Sequence, residues 1–356
     1  MFSITDYTPP EWAKLPNPPT KRIKLGHTPT PLERWSPSGF PEGTELWLKR
    51  DDRSGIFLSG NKVRKLEFLL ADAIQQGADC VITCGGIQSN HCRATAVSAR
   101  HLGLDSHILL RTKNTTDDPG FTGNLLLDRL VGANIHLITH AQYRKRAQLM
   151  EELAQHLREQ GRKPYLIPEG GSNAIGSWGY IEFIRELAVQ QAEQGLHFDD
   201  LVLACGSGGT AAGVGLAVKL SGLSCKVHAI NVCDDAEYFY NIINKIFLES
   251  GSSYKGEDLV DIIEGYKGIA YGVSTEQELE WICKLSKETG IIFDPVYTGK
   301  AIYGLKQELH NNPKRFQGKR ILFLHTGGLF GLYNKIDQLA PLLPLPDNTF
   351  TFTSES

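Results

Sequence analysis

Short apolar and β-branched runs at residues 80–83, 107–110, 134–138 and 164–167 alternate, from Leu46 onward, with stretches of helical period. That alternation predicts α/β layering with mostly parallel strands. Over residues 65–77, apolar side chains at Leu66, Phe68, Leu69, Leu70, Ala73 and Ile74 form one stripe of an amphipathic helix, which glycine then stops. A second α/β series begins near Gly179, with a helix over 180–194, a strand over 201–204, a helix over 210–220, a strand over 226–231 and a last strand over 320–325. The longest apolar stretch, residues 201–220, is broken by five glycines. It reads as strand, turn and helix and not as a membrane span. There are no repeats and no low-complexity linker, so any second domain packs tightly against the first.

The chain has 356 residues, enough for one large or two medium units with room for a bound cofactor. A formal charge of −3 and the lack of a basic block make nucleic acid an unfavourable partner. The first nineteen residues lack the basic flank and apolar run of a secretion signal, and a cytosolic protein is expected. The seven cysteines are scattered, with no Cys-x-x-Cys pair, and read as free thiols. His91 and Cys92 adjoin and no other pair has zinc-ligand spacing, so no metal is expected.

Chemistry concentrates in five segments. The first is Ser59-Gly60-Asn61-Lys62-Val63-Arg64-Lys65-Leu66-Glu67, at the start of the amphipathic helix. A lysine in the opening turn of a helix meets the positive end of the dipole, which favours a neutral amine or an imine over an ammonium. Taken alone, a surface lysine is the commoner reading. In the second, Cys84-Gly85-Gly86-Ile87-Gln88-Ser89-Asn90-His91, Ser89 or Asn90 with free helical N–H groups suits a carboxylate, and an ordinary N-cap equally well. The third, Cys205-Gly206-Ser207-Gly208-Gly209-Thr210, makes a nest for a phosphate at a helix start. It lacks the P-loop lysine and the acidic ribose ligand, so a small phosphomonoester fits it better than ATP or NAD. The last two are Asp294-Pro295-Val296-Tyr297-Thr298-Gly299-Lys300 and Phe323-Leu324-His325-Thr326-Gly327-Gly328, whose hydroxyls singly read as turn and cap residues.

In combination and order, these segments resemble the fold type II pyridoxal-phosphate (PLP) enzymes, in the branch of D-cysteine desulfhydrase and 1-aminocyclopropane-1-carboxylate (ACC) deaminase. The resemblance runs from about residue 28 to 333. It implies two open twisted, mostly parallel sheets flanked by helices, of tryptophan synthase β type, with a large PLP-binding domain (1–65 and 177–356) and a small one (66–176) inserted in it. It implies that Lys62 holds the cofactor covalently and acts as the base, that Asn61 bonds its hydroxyl, and that Gly206, Ser207, Gly208, Gly209 and Thr210 hold its phosphate. By the same resemblance Thr326 is a further cofactor contact. Ser89, Asn90 and His91 match the substrate-carboxylate loop, Ser89 and Tyr297 have catalytic parts, and Tyr271 and Thr298 touch substrate. A small amino-acid substrate and a homodimer are implied as well.

Within the branch, ACC deaminases carry a glutamate after the tyrosine matched by Tyr297 and a leucine after the histidine matched by His325. Thr298 and Thr326 stand there instead, the desulfhydrase pattern. A carboxylate supports a protonated pyridine and strong electron withdrawal, whereas a threonine hydroxyl suits a neutral ring and an easily departing thiolate. The expected reaction is elimination from D-cysteine to hydrogen sulfide, pyruvate and ammonia. The alternatives are ACC, and L-cysteate, whose sulfonate calls for an additional cation that the sequence does not locate. Rivals from other classes are a dinucleotide oxidoreductase, for which Asp234 stands late as a ribose ligand, and a PLP carrier, for which Ser89, Asn90 and Tyr297 would be superfluous.

Overall fold

The computed structural model describes residues 3–344. Its strands are β1 (Ile4–Asp6), β2 (Lys21–Ile23), β3 (Leu32–Trp35), β4 (Glu45–Lys49), β5 (Cys80–Gly86), β6 (Asp105–Thr112), β7 (Asn134–Thr139), β8 (Pro164–Leu166), β9 (Asp200–Cys205), β10 (Lys226–Asn231), β11 (Asp261–Ile263) and β12 (Arg320–Leu324). One sheet has the order β11-β10-β9-β12-β4-β3 and is parallel except for β3; the other, β7-β6-β5-β8, is parallel throughout. β1 and β2 form a separate antiparallel ribbon. β9 is buried along its whole length and β5 up to its last residue. Both are covered on two faces, as continuous apolar runs in a parallel sheet require.

The helices Ala174–Gln194 and Gly209–Ser221 pack on one face of the six-stranded sheet around Phe183, Leu201 and Val214. On the other face, Glu276–Thr289 and Thr298–Asn311 pack around Val202, Phe293 and Phe323. The helix Lys62–Gln75 begins three residues before the expected start, and Gly77 at φ 72° ends the chain's turn after it. The sequence reading left unassigned the strands β1, β2, β3 and β11 and the helices between residues 236 and 311. Boundaries at 65/66 and 176/177 fall inside the helices Lys62–Gln75 and Ala174–Gln194, which pack against each other. No helix among the described residues is long and apolar enough to cross a membrane.

Behind the sheet, buried His228 on β10 meets Asp200 through Nε2 at 2.8 Å and Asp261 through Nδ1 at 2.9 Å. Burial opposes its charge, but the hydrogen bonds to the two carboxylates outweigh it and hold the imidazole pKa above its ordinary value. Asp261 is also reached by Arg315 at 3.2 Å and Lys226 at 3.6 Å. A native pKa above the unfolded one gives stability that is full below roughly pH 6.5 and is lost as pH rises through the native value. The stability lost in His228→Asn, measured by urea unfolding, is therefore expected to be larger at about pH 6 than at about pH 9. Equal losses at both would mean a neutral ring.

Candidate active site

The C-terminal ends of β9 and β12 from one sheet and of β5, β6 and β8 from the other converge on a cavity of about 1450 Å³. Clefts outside strand carboxyl ends are where open α/β sheets bind ligands. Lys62, Ser89, Asn90, His91, Gly206, Ser207, Gly208, Thr210, Tyr271, Tyr297 and Thr326 all line it, from segments far apart in the chain.

Lys62 is the first residue of its helix, and part of its side chain faces the cavity. Desolvation pushes its amine down to about 8, against the opposing pull of Glu169 and Cys205 and with a small push from Arg93. Asn61 does not cap the helix with its side chain; its amide donates to Thr210 Oγ1 at 3.0 Å, tying the lysine segment to the glycine turn after β9. The remainder of the segment is anchored away from the cavity. Arg64 pairs with Asp51 and Glu186, Lys65 donates to the Gly170 carbonyl at 3.0 Å, and Glu67 accepts from Arg22 and from the N–H groups of Leu25 and Gly26.

Gly60 and Gly327 lie back to back. A Cβ on Gly60, at φ 102°, would come within 2.6 Å of the Thr326 carbonyl, and one on Gly327 within 2.7 Å of Gly60 Cα. The Asn61 N–H donates to that same carbonyl at 3.1 Å. This close approach puts Thr326 at the base of Lys62, and only glycine allows it.

The loop after β5 is more occupied than the sequence suggests. Ser89 caps the helix Asn90–His101, its Oγ accepting from Cys92 N at 3.1 Å, and Asn90 Oδ1 accepts from Asn124 Nδ2 at 3.0 Å. Thr83 donates its hydroxyl to the Ile167 carbonyl, so it accepts from His91 Nε2 at 2.8 Å, and His91 is the neutral tautomer with Nδ1 unpartnered. Burial lowers its pKa well below the ordinary value, with Lys62 and Lys65 adding to the effect.

Tyr297 stands between the glycine turn after β9 and Tyr271. A side chain at Gly206 would meet its ring at 2.8 Å, and its hydroxyl is 2.6 Å from that of Tyr271. Burial raises both phenols, Tyr271 to about 12. Asp294 sets the ring's position by accepting from the N–H groups of Val296, Tyr297 and Thr298, each at 2.9 Å.

Two expected site residues do not face the cavity. Thr298 is fully buried, its hydroxyl donating to Asp294 Oδ1 at 2.7 Å, and it is not among the residues that line the cavity. Gly209 packs on Ser172, and its N–H is bound by the Ser207 carbonyl at 2.9 Å instead of being open to a phosphate. Conversely, the sequence reading passed over Glu169, Tyr143, Arg146 and Arg111, which line the cavity. Glu169 accepts from Tyr143 and pairs with Arg146 at 2.9 Å. A signal for this loop was available: Pro168-Glu169-Gly170-Gly171-Ser172-Asn173 is a glycine turn between strand and helix, as at Gly206, and Ser172 Oγ donates to Ser207 Oγ at 3.0 Å.

Lys300 was in the sequence segment but without a role. Its amine donates to the carbonyls of Lys267, Ala270 and Val273 at 2.6, 3.0 and 3.1 Å, gathering the loop that presents Tyr271. Charge-assisted bonds of this kind contribute about 1.5–3 kcal/mol each. Lys300→Met is expected to lower kcat/KM about tenfold with the far-UV circular dichroism unchanged. Unchanged kcat/KM would show that the loop holds Tyr271 without it.

A family model described as "Pyridoxal-phosphate dependent enzyme" matches residues 23–327. The chain belongs to this family. A bifunctional D-cysteine desulfhydrase/ACC deaminase of Arabidopsis thaliana, named as mitochondrial, is 51% identical over 95% of this chain and 86% of its own length. A D-cysteine desulfhydrase of Serratia proteamaculans is 38% identical over 88% of this chain and 95% of its own. A solved ACC deaminase homologue superposes with a TM-score of 0.80 at 35% identity, covering 92% of this chain and 97% of that one.

The chain's residues fit pyridoxal phosphate. A half-buried lysine with a depressed pKa faces the cavity, and Ser59 Oγ, on the same segment, is buried without a partner. The turn at Gly206 has no room for a Cβ, and it opens the 13-residue helix Gly209–Ser221, whose first-turn N–H groups have no intrahelical acceptor.

Proposed function

We propose that the protein eliminates the thiol of D-cysteine, giving hydrogen sulfide, pyruvate and ammonia. The observation that carries the reading is Lys62, an amine with its pKa near 8 facing a cavity that also contains a phosphate turn and a tyrosine pair. The names of the Arabidopsis and Serratia relatives support the substrate.

In this reading the backbone N–H groups of Gly206 and Ser207 and the Thr210 hydroxyl hold the phosphate, Asn61 and Thr326 flank the ring, and Lys62 is the covalent anchor. Pyridoxal phosphate, when bound, supplies the electron sink for the negative charge that develops at the substrate Cα. Lys62 Nζ takes the Cα proton; near neutral pH its lowered pKa keeps a useful fraction of the amine unprotonated for that step. Tyr297, held by Asp294 and by the Tyr271 hydroxyl, orients the substrate and closes the cavity to water around the departing sulfur. Ser89 and Asn90 receive the substrate carboxylate at the start of their helix. One water is consumed overall, and the sulfur leaves as hydrogen sulfide.

A second reading is ACC deamination. The Arabidopsis relative is named for both activities, and Thr298, one of the two positions from which the sequence favoured the desulfhydrase, is buried away from the cavity. Assays of purified protein on D-cysteine, L-cysteine, L-cysteate and ACC separate the cases. Sulfide and pyruvate from D-cysteine are expected; ammonia from ACC alone would replace the first reading with the second. The same proposal includes the two-domain division, supported by the membership of the two sheets, together with a homodimer and a cytosolic location, which light scattering and cell fractionation test.

A further inference from the structure

Arg111 stands at the end of β6, half-buried in the cavity wall. Its guanidinium lies over the rings of Tyr143 and Tyr271, 4.8 and 5.4 Å from their centroids. Among the described residues it has no hydrogen bond or ion pair, whereas neighbouring Arg146 is committed to Glu169. A planar fork of five N–H donors, held by aromatic rings and left without a carboxylate, is suited to an oxyanion with two oxygens.

Its place adds to the case. Nη2 lies 3.9 Å from where a Cβ on Gly86 would stand, beside the loop that leads to Ser89. That loop brings no net charge to an anion. Ser89 Oγ already accepts from Cys92, Asn90 Oδ1 accepts from Asn124, and His91 is neutral with Nε2 on Thr83. An anion drawn into the cavity there loses hydration, and a cation is needed to replace it.

We propose that Arg111 is the oxyanion subsite of this cavity, taking a carboxylate or sulfonate of the amino-acid substrate. This rests on the reading that the cavity takes an amino acid, and two groups could supply the oxyanion. One is the α-carboxylate common to all amino acids; the other is a sulfonate on the β-carbon, as in cysteate, the group for which the sequence located no cation.

The test titrates the PLP-loaded wild type, Arg111→Gln and Arg111→Lys with D-alanine, which has no leaving group, with ethylamine, which has no oxyanion, and with L-cysteate, following the visible absorbance. Arg111→Gln is expected to weaken D-alanine about ten- to a hundredfold and leave ethylamine within about twofold, with partial recovery in Arg111→Lys. Weakening confined to L-cysteate would also support the subsite and assign it to the sulfonate. Equal weakening of ethylamine and D-alanine would reduce Arg111 to a structural clasp between two tyrosines, and no weakening of any ligand, or no amino-acid binding even by the wild type, would overturn the proposal. D-alanine binding requires no turnover, so a wild type that releases no sulfide from D-cysteine overturns the proposed reaction and leaves this test standing.

Discussion

Lys62→Ala is expected to abolish sulfide release from D-cysteine, leaving less than a few per cent of the wild-type rate. General base catalysis alone contributes about 10²–10⁴-fold, and covalent anchorage adds to that. Two other lysines close by are committed elsewhere. Lys65, one helical turn on, is buried and donates to the Gly170 carbonyl, and Lys267 donates to the Asp234 carbonyl. Lys62→Arg is expected to be equally inactive, because a guanidinium stays charged where the lysine amine, depressed to about 8, sheds its proton. Sulfide and pyruvate assays, with the visible spectrum before and after borohydride, check both variants. Retention of a tenth of the wild-type rate by Lys62→Ala would remove the lysine from the chemistry.

The largest loss of stability is expected two residues further on. Arg64 is fully buried, with Nε and Nη2 on Asp51 at 2.9 and 2.8 Å and Nη1 and Nη2 on Glu186 at 2.9 and 3.0 Å. Lys49 also reaches Glu186, and Tyr180 and Thr30 donate to Asp51. Arg64→Met leaves two carboxylates with one lysine between them. Removing one partner of a buried pair costs about 3–5 kcal/mol, because the remaining charge stays desolvated. Arg64→Lys keeps the charge but cannot span both carboxylates, and an intermediate loss is expected. Urea unfolding of the PLP-loaded protein measures both, and a loss below about 1 kcal/mol in Arg64→Met would mean that water or a rearranged Lys49 compensates.

Much of the fold was legible because parallel strands covered on both faces are predominantly apolar, and β5, β9 and β12 stand out on that ground. β3 did not, since a four-residue edge strand with one buried position carries little pattern. The lysine segment and the Gly206 turn were legible as chemistry because glycines beside a helix start have few other uses. Thr298 was expected to face the substrate, but the residue that follows Tyr297 is the first of a helix, and its hydroxyl donates inward to Asp294. Arg111 gave no signal because it owes its position to segments far apart in the chain, facing Tyr271, whereas Glu169 was passed over although the glycine turn beside it was legible.

The back-to-back glycines also bear on when the site can exist. β12, the last strand among the described residues, lies between β9 and β4 in its sheet, and Gly327 just beyond it meets Gly60 beside Lys62. Lys62 lies near the start of the described residues, and the wall behind it comes from a segment near their far end. Until that segment docks, the lysine has no wall behind it and the sheet lacks a central strand. The depressed, cofactor-ready amine is therefore a property of the assembled fold, because the burial that lowers it depends on segments far apart in the chain.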